Sequence, residues 1–262
     1  MKKLGILGAG HLSGIVVEAY NKGLLPGYEI VGVVGRDSQH VANLVDKCHA
    51  KACKDMAELL ECKPDFITEA ASVQAVKDHA EEILTHGASF IVLSIGAFAD
   101  ETFRTHIENI AKDNGQKLYL SSGAVGGFDV LRTLSLMGNG DMDVEFCTHK
   151  GPKSLQNTPL YSHELMTDET ETKVFEGNAQ EAIGLLPTKV NVAVASSLAS
   201  AGPENTKVSI YSVPGMTGDD HCITAKAAGC KTVIDTFSPT ADIAGWSMVA
   251  LLRNLDAGIV VF

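Results

Sequence analysis

The sequence predicts an α/β fold, a Rossmann-type doubly wound parallel sheet followed by a second, smaller α+β domain. Three observations carry the prediction. Between Lys3 and Leu120, short apolar runs alternate with helical patterns, the rhythm of strand–helix–strand units. The string GILGAGHLSG at 5–14 joins the first apolar run to the first helical pattern through two glycines. After about Gly126 the alternation gives way to a mixed order of strand and helix patterns.

The runs Lys3–Leu7, Ile30–Val34, Phe66–Thr68, Phe90–Leu93 and Leu118–Leu120 read as parallel strands, buried on both faces and therefore predominantly apolar. Ser72 caps a helix that places Val73, Val76, Ala80, Ile83 and Leu84 on one face, and Gly87 ends it. Asp100, acidic at the positive end of the helix dipole, opens another that runs to Asn114 and Gly115 with Phe103, Ile107 and Ile110 inward. Beyond Gly126 come a strand at Val144–His149 and a polar stretch, Gly151–Thr172, read as an exposed loop or insertion. KVFEG at 173–177 follows, then a helix at Ala179–Leu186 stopped by Pro187, a helix from about Val190, and strands at Lys207–Ser212 and Thr232–Phe237. The last segment, from Ala244, reads as an amphipathic helix and then an apolar strand. The expected domains are 1–124 for dinucleotide binding, with 240–262 returning to it, and 125–239 for substrate and catalysis.

Composition narrows the function. A chain of 262 residues, 45% apolar and 20% charged, can bury a sizeable core. Its net charge of −11 argues against a nucleic-acid partner, because no basic stripe is there to displace counterions. No apolar run approaches the roughly 20 residues of a membrane span, and the opening one is too short for a signal-peptide core, so a cytoplasmic protein is expected. The cysteines (48, 53, 62, 147, 222 and 230) show no C-x-x-C pair and no metal-ligand spacing, so they read as reduced thiols and no metal is expected.

The glycine string carries the chemistry. Gly8 permits a tight strand-to-helix turn, and Gly10 removes the Cβ that would hold the backbone away from a pyrophosphate on the helix N-terminus. Ser13 takes the third small position, while Leu12, Ile15, Val16 and Ala19 fall on one side of the helix. A G-x-G-x-x-small string alone is also what a plain tight turn can show; its place between a first strand and a helix makes it a dinucleotide-binding turn. His11, at a variable position of the turn, faces the phosphate. The second strand ends in VVGRDS, with Gly35 where an NAD-selective protein carries a carboxylate for the ribose diol. Without that carboxylate a 2′-phosphate is not repelled, and Arg36 with Ser38 can hold it by charge-assisted hydrogen bonds. NAD or NADP is therefore the expected cofactor; the competing reading makes Arg36 a solvated residue beside Asp37.

TEAAS at 68–72, LSIGAFAD at 93–100, SSGAVGGFDVL at 121–131, KVFEGNAQEA at 173–182, NVAVASSLA at 191–199 and LLRNLDAGI at 251–259 resemble the L-aspartate dehydrogenase family, in the family's order and across nearly the whole chain. The resemblance implies a nicotinamide-dependent enzyme that interconverts L-aspartate and iminosuccinate, the latter in equilibrium with oxaloacetate and ammonia, working as a homo-oligomer, here taken as a dimer. It places Ala124 with its backbone at the nicotinamide end and Asn191 against the cofactor; Leu12 and Ala71 are further candidates for cofactor binding. The competing readings are a glycine-rich helix entry for Ala124 and a helix cap for Asn191. His221, in VPGMTGDDHCI, falls on the family's catalytic histidine, an acid–base group on what reads as a loop. Lys150, and Lys153 beside it, are candidates for a substrate carboxylate, against a reading as surface lysines.

Departures from the family pattern bear on the substrate. Val213 replaces an aspartate, Asp219 replaces an asparagine, and DIAGWS at 242–247 replaces a late conserved block. A carboxylate at 219 is expected to raise the pKa of His221 or to repel a dicarboxylate. Two other classes stay open: a dinucleotide-binding sensor or scaffold without turnover, and a dehydrogenase of another small substrate, for which Cys222 is the candidate nucleophile.

Overall fold

The structure is a computed structural model that describes residues 1–187 and 189–261. It divides into two compact units, one formed by Met1–Ser121 together with the segment from Ala244, the other by Ser122–Ile243.

In the first unit β1 (Lys2–Leu7), α1 (His11–Asn21), β2 (Tyr28–Val34), α2 (Ser38–Cys48), β3 (Lys51–Cys53), α3 (Met56–Glu61), β4 (Phe66–Glu69), α4 (Val73–Thr85), β5 (Ser89–Val92), α5 (Glu101–Asp113) and β6 (Leu118–Leu120) follow one another, with a 3-10 turn at Ile95–Ala99. All strand pairs are parallel, in the order β3-β2-β1-β4-β5-β6. Strand order reverses between β1 and β4, and at such a switch point the carboxyl ends of the strands leave a crevice for a ligand. Leu4, Ile6, Val33, Ile67, Phe90 and Ile91 are wholly buried, as apolar runs covered by helices on both faces must be. The helices start where the sequence supplies an acceptor: Asp37, Asp55, Ser72 and Asp100 each take the N–H three residues on.

The second unit holds α6 (Phe128–Met137), β7 (Asp143–Lys150), α7 (Pro152–Leu155), a 3-10 turn at His163–Met166, β8 (Thr172–Asn178), α8 (Ala179–Leu185), α9 (Asn191–Leu198), β9 (Thr206–Ser212), β10 (Asp219–Ala227) and β11 (Cys230–Ser238). Its sheet runs β11-β10-β7-β9-β8, with β7 and β9 parallel and the other pairs antiparallel. The stretch Gly151–Thr172 is not the fully exposed loop expected, because Pro152, Leu155 and Leu165 are buried.

The chain ends with α10 (Asp242–Asp256), whose Met248, Val249 and Leu252 join the core of the first unit with Ile15, Val16 and Leu25. The Tyr28 hydroxyl donates to the Leu252 carbonyl at 2.8 Å. The apolar strand expected after this helix does not form: residues 257–261 pair with no strand, and Ile259 and Val261 are exposed. Alternation of apolar residues is insufficient there, since a strand needs a neighbour to bond. Among the described residues no helix is long and apolar enough to cross a membrane.

Candidate active site

The turn after β1 is built for close backbone approach. Gly8 has φ +101°, and a Cβ there would lie 2.5 Å from the Ala70 carbonyl oxygen, so both conformation and space demand glycine. Its N–H donates to the Val34 carbonyl at 2.8 Å, tying the turn to the end of β2. Gly10 caps α1 in extended conformation, with no side-chain cap and no acidic residue in the first turn, and nothing lies within 4 Å of where its Cβ would be. That is an open, positively polarised helix end, and a dinucleotide pyrophosphate fits it. A cavity of about 610 Å³ begins there, lined among others by Gly8, Gly10, Gly35, Arg36, Ala71 and Ser72. At Gly35 a Cβ would stand 3.2 Å from the Ala9 nitrogen, which leaves little room for an acidic side chain beside the turn. Leu12, half-buried, and Ser38, at the start of α2, are not among the residues lining this cavity; His11 lines a neighbouring groove between α1 and α2.

Glu69, at the end of β4, is a buried residue that sequence reasoning passed over. Its Oε1 accepts from the N–H groups of Ala71 (2.6 Å) and Ser72 (3.0 Å) and from the Ser94 hydroxyl (2.8 Å). Its Oε2 accepts from the N–H groups of Leu93 (3.3 Å) and Ser94 (3.0 Å). Burial raises the carboxyl pKa and these donors work against it. One side chain thus fixes two loops at the carboxyl edge of the sheet, one of which lines the cavity.

In the second unit His221 lies on β10 and not on a loop, and it is buried. The antiparallel register of β7 and β10 sets His221 opposite Thr148 and Asp219 opposite Lys150, four side chains on one face of the sheet. His221 Nδ1 and Thr148 Oγ1 are 2.8 Å apart, and the ring packs on Phe146. The Lys150 ammonium, 2% exposed, pairs with Asp219 Oδ2 at 2.6 Å, so this lysine is not a surface residue. Burial first, and then the Lys150 charge, push the His221 pKa down to about 4, while Asp219 pulls the other way. The expected net rise is therefore corrected: Asp219 acts in the direction foreseen, but desolvation and Lys150 outweigh it. Lys150 itself is lowered by burial and held up in part by Asp219.

Two of the three sequence departures, Asp219 and Val213, lie here, the Val213 N–H donating to the Lys150 carbonyl at 2.8 Å, while the third, at 242–247, opens α10. Gly123, with φ +67°, packs where a Cβ would meet Val192 at 3.3 Å, which brings the turn carrying Ala124 against the first turn of α9. Asn191 is the first residue of that helix, and its cap is Val190. Cys222 follows His221 and so points to the opposite face, its thiol pKa raised by burial. Neither fact favours a thiolate nucleophile beside the histidine.

A helix N-terminus left bare for a pyrophosphate at a sheet's switch point is the working part of a nicotinamide-dependent oxidoreductase, and the chain's likenesses to known proteins fall in that class. Residues 4–121 match the family model for the NAD binding domain of homoserine dehydrogenase, and residues 129–255 match that for the C-terminal part of aspartate dehydrogenase. The chain is 35% identical to an L-aspartate dehydrogenase of Methanosarcina barkeri over 86% of its own length and 84% of the relative's. It is 32% identical to one of Methanococcus maripaludis over 99% and 98%. Among solved structures, aspartate dehydrogenase from Thermotoga maritima matches with a TM-score of 0.78 and 26% identity across 100% of both chains. This chain belongs to the L-aspartate dehydrogenase family.

Proposed function

We propose that this chain is an L-aspartate dehydrogenase with His221 as its acid–base residue. The observation that carries the reading is the end-to-end likeness to relatives that bear this name; the buried histidine, threonine and lysine on one face of the second sheet support it. NAD or NADP is held in this reading at Gly8, Gly10 and Ala71 in the first unit, with Arg36, which lines the same cavity, placed to meet a 2′-phosphate and Ser38, outside the lining at the start of α2, taken to join it. His11 and Leu12, in the first turn of α1, and Ala124 and Asn191 complete the set of cofactor contacts in this reading. When bound, the dinucleotide accepts hydride from the substrate Cα or returns it to the imine carbon.

The chain's own residues handle the proton. With its pKa near 4, His221 is neutral at working pH and can accept a proton from the substrate amino group at Nε2. That requires Nδ1–H to donate to Thr148. In the reverse direction the imidazolium returns its Nε2 proton to the imine nitrogen while Nδ1–H keeps donating to Thr148, so the same tautomer serves both directions. Lys150 supplies positive charge for a substrate carboxylate.

The protein is read as a cytoplasmic homodimer. Exposed Val233 and Phe237 on the edge strand β11 suit burial against a second copy, and sedimentation of wild type against Phe237→Asp tests the dimer. For the reaction, oxaloacetate, ammonium and NADPH or NADH should together oxidise the reduced dinucleotide. His221→Ala should lower kcat by about 100-fold or more and leave dinucleotide affinity unchanged. Dinucleotide binding without turnover on any oxo acid would instead mark a sensor or scaffold.

A further inference from the structure

Lys150 on β7 is in register with Asp219 on β10 and with Ser212 on β9, so the three side chains form one polar row across the sheet. Lys150 stands in the middle. Strands lie about 4.8 Å apart, which puts Asp219 and Ser212 on opposite flanks of the ammonium and about 10 Å from each other. Asp219 takes one of the three ammonium donors. Ser212 is 2% exposed and its Oγ has no hydrogen-bond partner. A buried hydroxyl left so is costly and calls for an explanation. Lys189, whose ammonium donates to the Ser154 carbonyl, adds positive charge near enough to oppose that of Lys150. Gathered positive charge beside an unmatched hydroxyl suits an anion with two oxygens to place.

We propose that Ser212 and Lys150 form the subsite for the distal carboxylate of a four-carbon dicarboxylic acid, bound on the β9 flank of Lys150. It rests on the dehydrogenase reading and adds the residue that separates a dicarboxylate from a monocarboxylate. One carboxylate oxygen accepts from Ser212, the other from a remaining Lys150 donor. Asp219 keeps the buried ammonium charged between turnovers. Its own charge, on the far flank, does not face the incoming anion.

Ser212→Ala removes no hydrogen bond from the free protein, so it should fold with a Tm equal to or above that of wild type. With NADH present, succinate should raise the wild-type Tm and fail to raise that of the variant, and acetate should shift neither. The KM for oxaloacetate should rise about tenfold or more at unchanged kcat, as for a lost charge-assisted bond made equally in ground and transition states. Any turnover of pyruvate should be unaffected; a merely structural serine would move Tm and leave the ratio of the two substrates alone. An unchanged KM together with a full succinate shift in Ser212→Ala overturns the subsite. A wild-type enzyme that turns over no oxo acid, yet shows a succinate shift that the variant loses, overturns the dehydrogenase reading and leaves the subsite standing.

Discussion

His221 is neutral because burial and the Lys150 charge penalise its protonated form, and the second of these can be removed. Lys150→Met takes away the second cause of the lowered pKa and leaves Asp219, so the acidic limb of the oxidation profile should move up from about 4 toward 6.5. The double variant Lys150→Met/Asp219→Asn, which strands no buried charge, should move it the same way by less; a limb that stays in place in both refutes the pairing. The same shift links stability to pH. Unfolded histidine takes a proton near 6.5 and folded His221 near 4, so across that interval the unfolded state binds more protons. Stability present above pH 6.5 is then lost as the pH falls toward 4, by up to about 3 kcal/mol from this group. Melting followed between those pH values should show the loss in wild type and a smaller one in His221→Gln. The histidine is legible in the sequence through the family's spacing, but its surroundings are not. Thr148 lies 73 residues away and meets it only through the register of β7 and β10. The strand opens with two aspartates, so its alternation shows only from His221 onward, where 221, 223, 225 and 227 are buried.

Among the elements, the joint between β4 and β5 shows what apolar rhythm can and cannot reveal. The strands themselves are legible from the short apolar runs Phe66–Ile67 and Phe90–Leu93, as is the Ser72 cap of α4. Short β3 is not: two of its three residues are exposed, and it resembles any loop. Nor is the role of Glu69, because a lone acidic residue at a strand end has the same sequence signature whether it is solvated or buried. In the structure its two oxygens face two backbone N–H groups each. The amide of Glu69→Gln must turn its NH₂ toward one of those pairs, facing either the part-buried donors of Ala71 and Ser72 or those of Leu93 and Ser94, of which Leu93 keeps the Glu69 main-chain carbonyl at 3.2 Å. At about 1–3 kcal/mol for an unsatisfied buried group, the variant should lose roughly 1–3 kcal/mol of stability. Dinucleotide affinity should fall with it, because the loop released at Ala71 and Ser72 lines the cavity and Ala70 braces Gly8. Ser94→Ala removes one donor and leaves the carboxylate with four, so it should cost less than half as much in denaturant titration and keep its NADH affinity.

At the scale of the whole chain, the first unit is discontinuous: it begins at Met1 and is completed only by the segment from Ala244. Met248, Val249 and Leu252 fill the space beside Ile15, Val16 and Leu25, and removing that helix would leave those side chains in water. A chain ending at Ile243 should therefore fail to bind NADH, although every residue of the glycine turn is present. Leu252→Ala, which only hollows the same contact, should cost about 2–5 kcal/mol and leave binding measurable. Connectivity should matter less than contact. The end of α10 already lies beside the start of β1, where the Lys2 ammonium donates to the Leu255 carbonyl at 2.6 Å and pairs with Asp256 at 3.0 Å. A circular permutant with new ends between Thr240 and Ala241 and a short flexible linker joining the native ends makes the first unit continuous without moving any contact within it. It should bind NADH with the affinity of the parent and refold faster, because α10 no longer has to close a loop across the whole chain. A permutant that folds but has lost NADH binding would show that α10 contributes through its place in the chain and not through its packing.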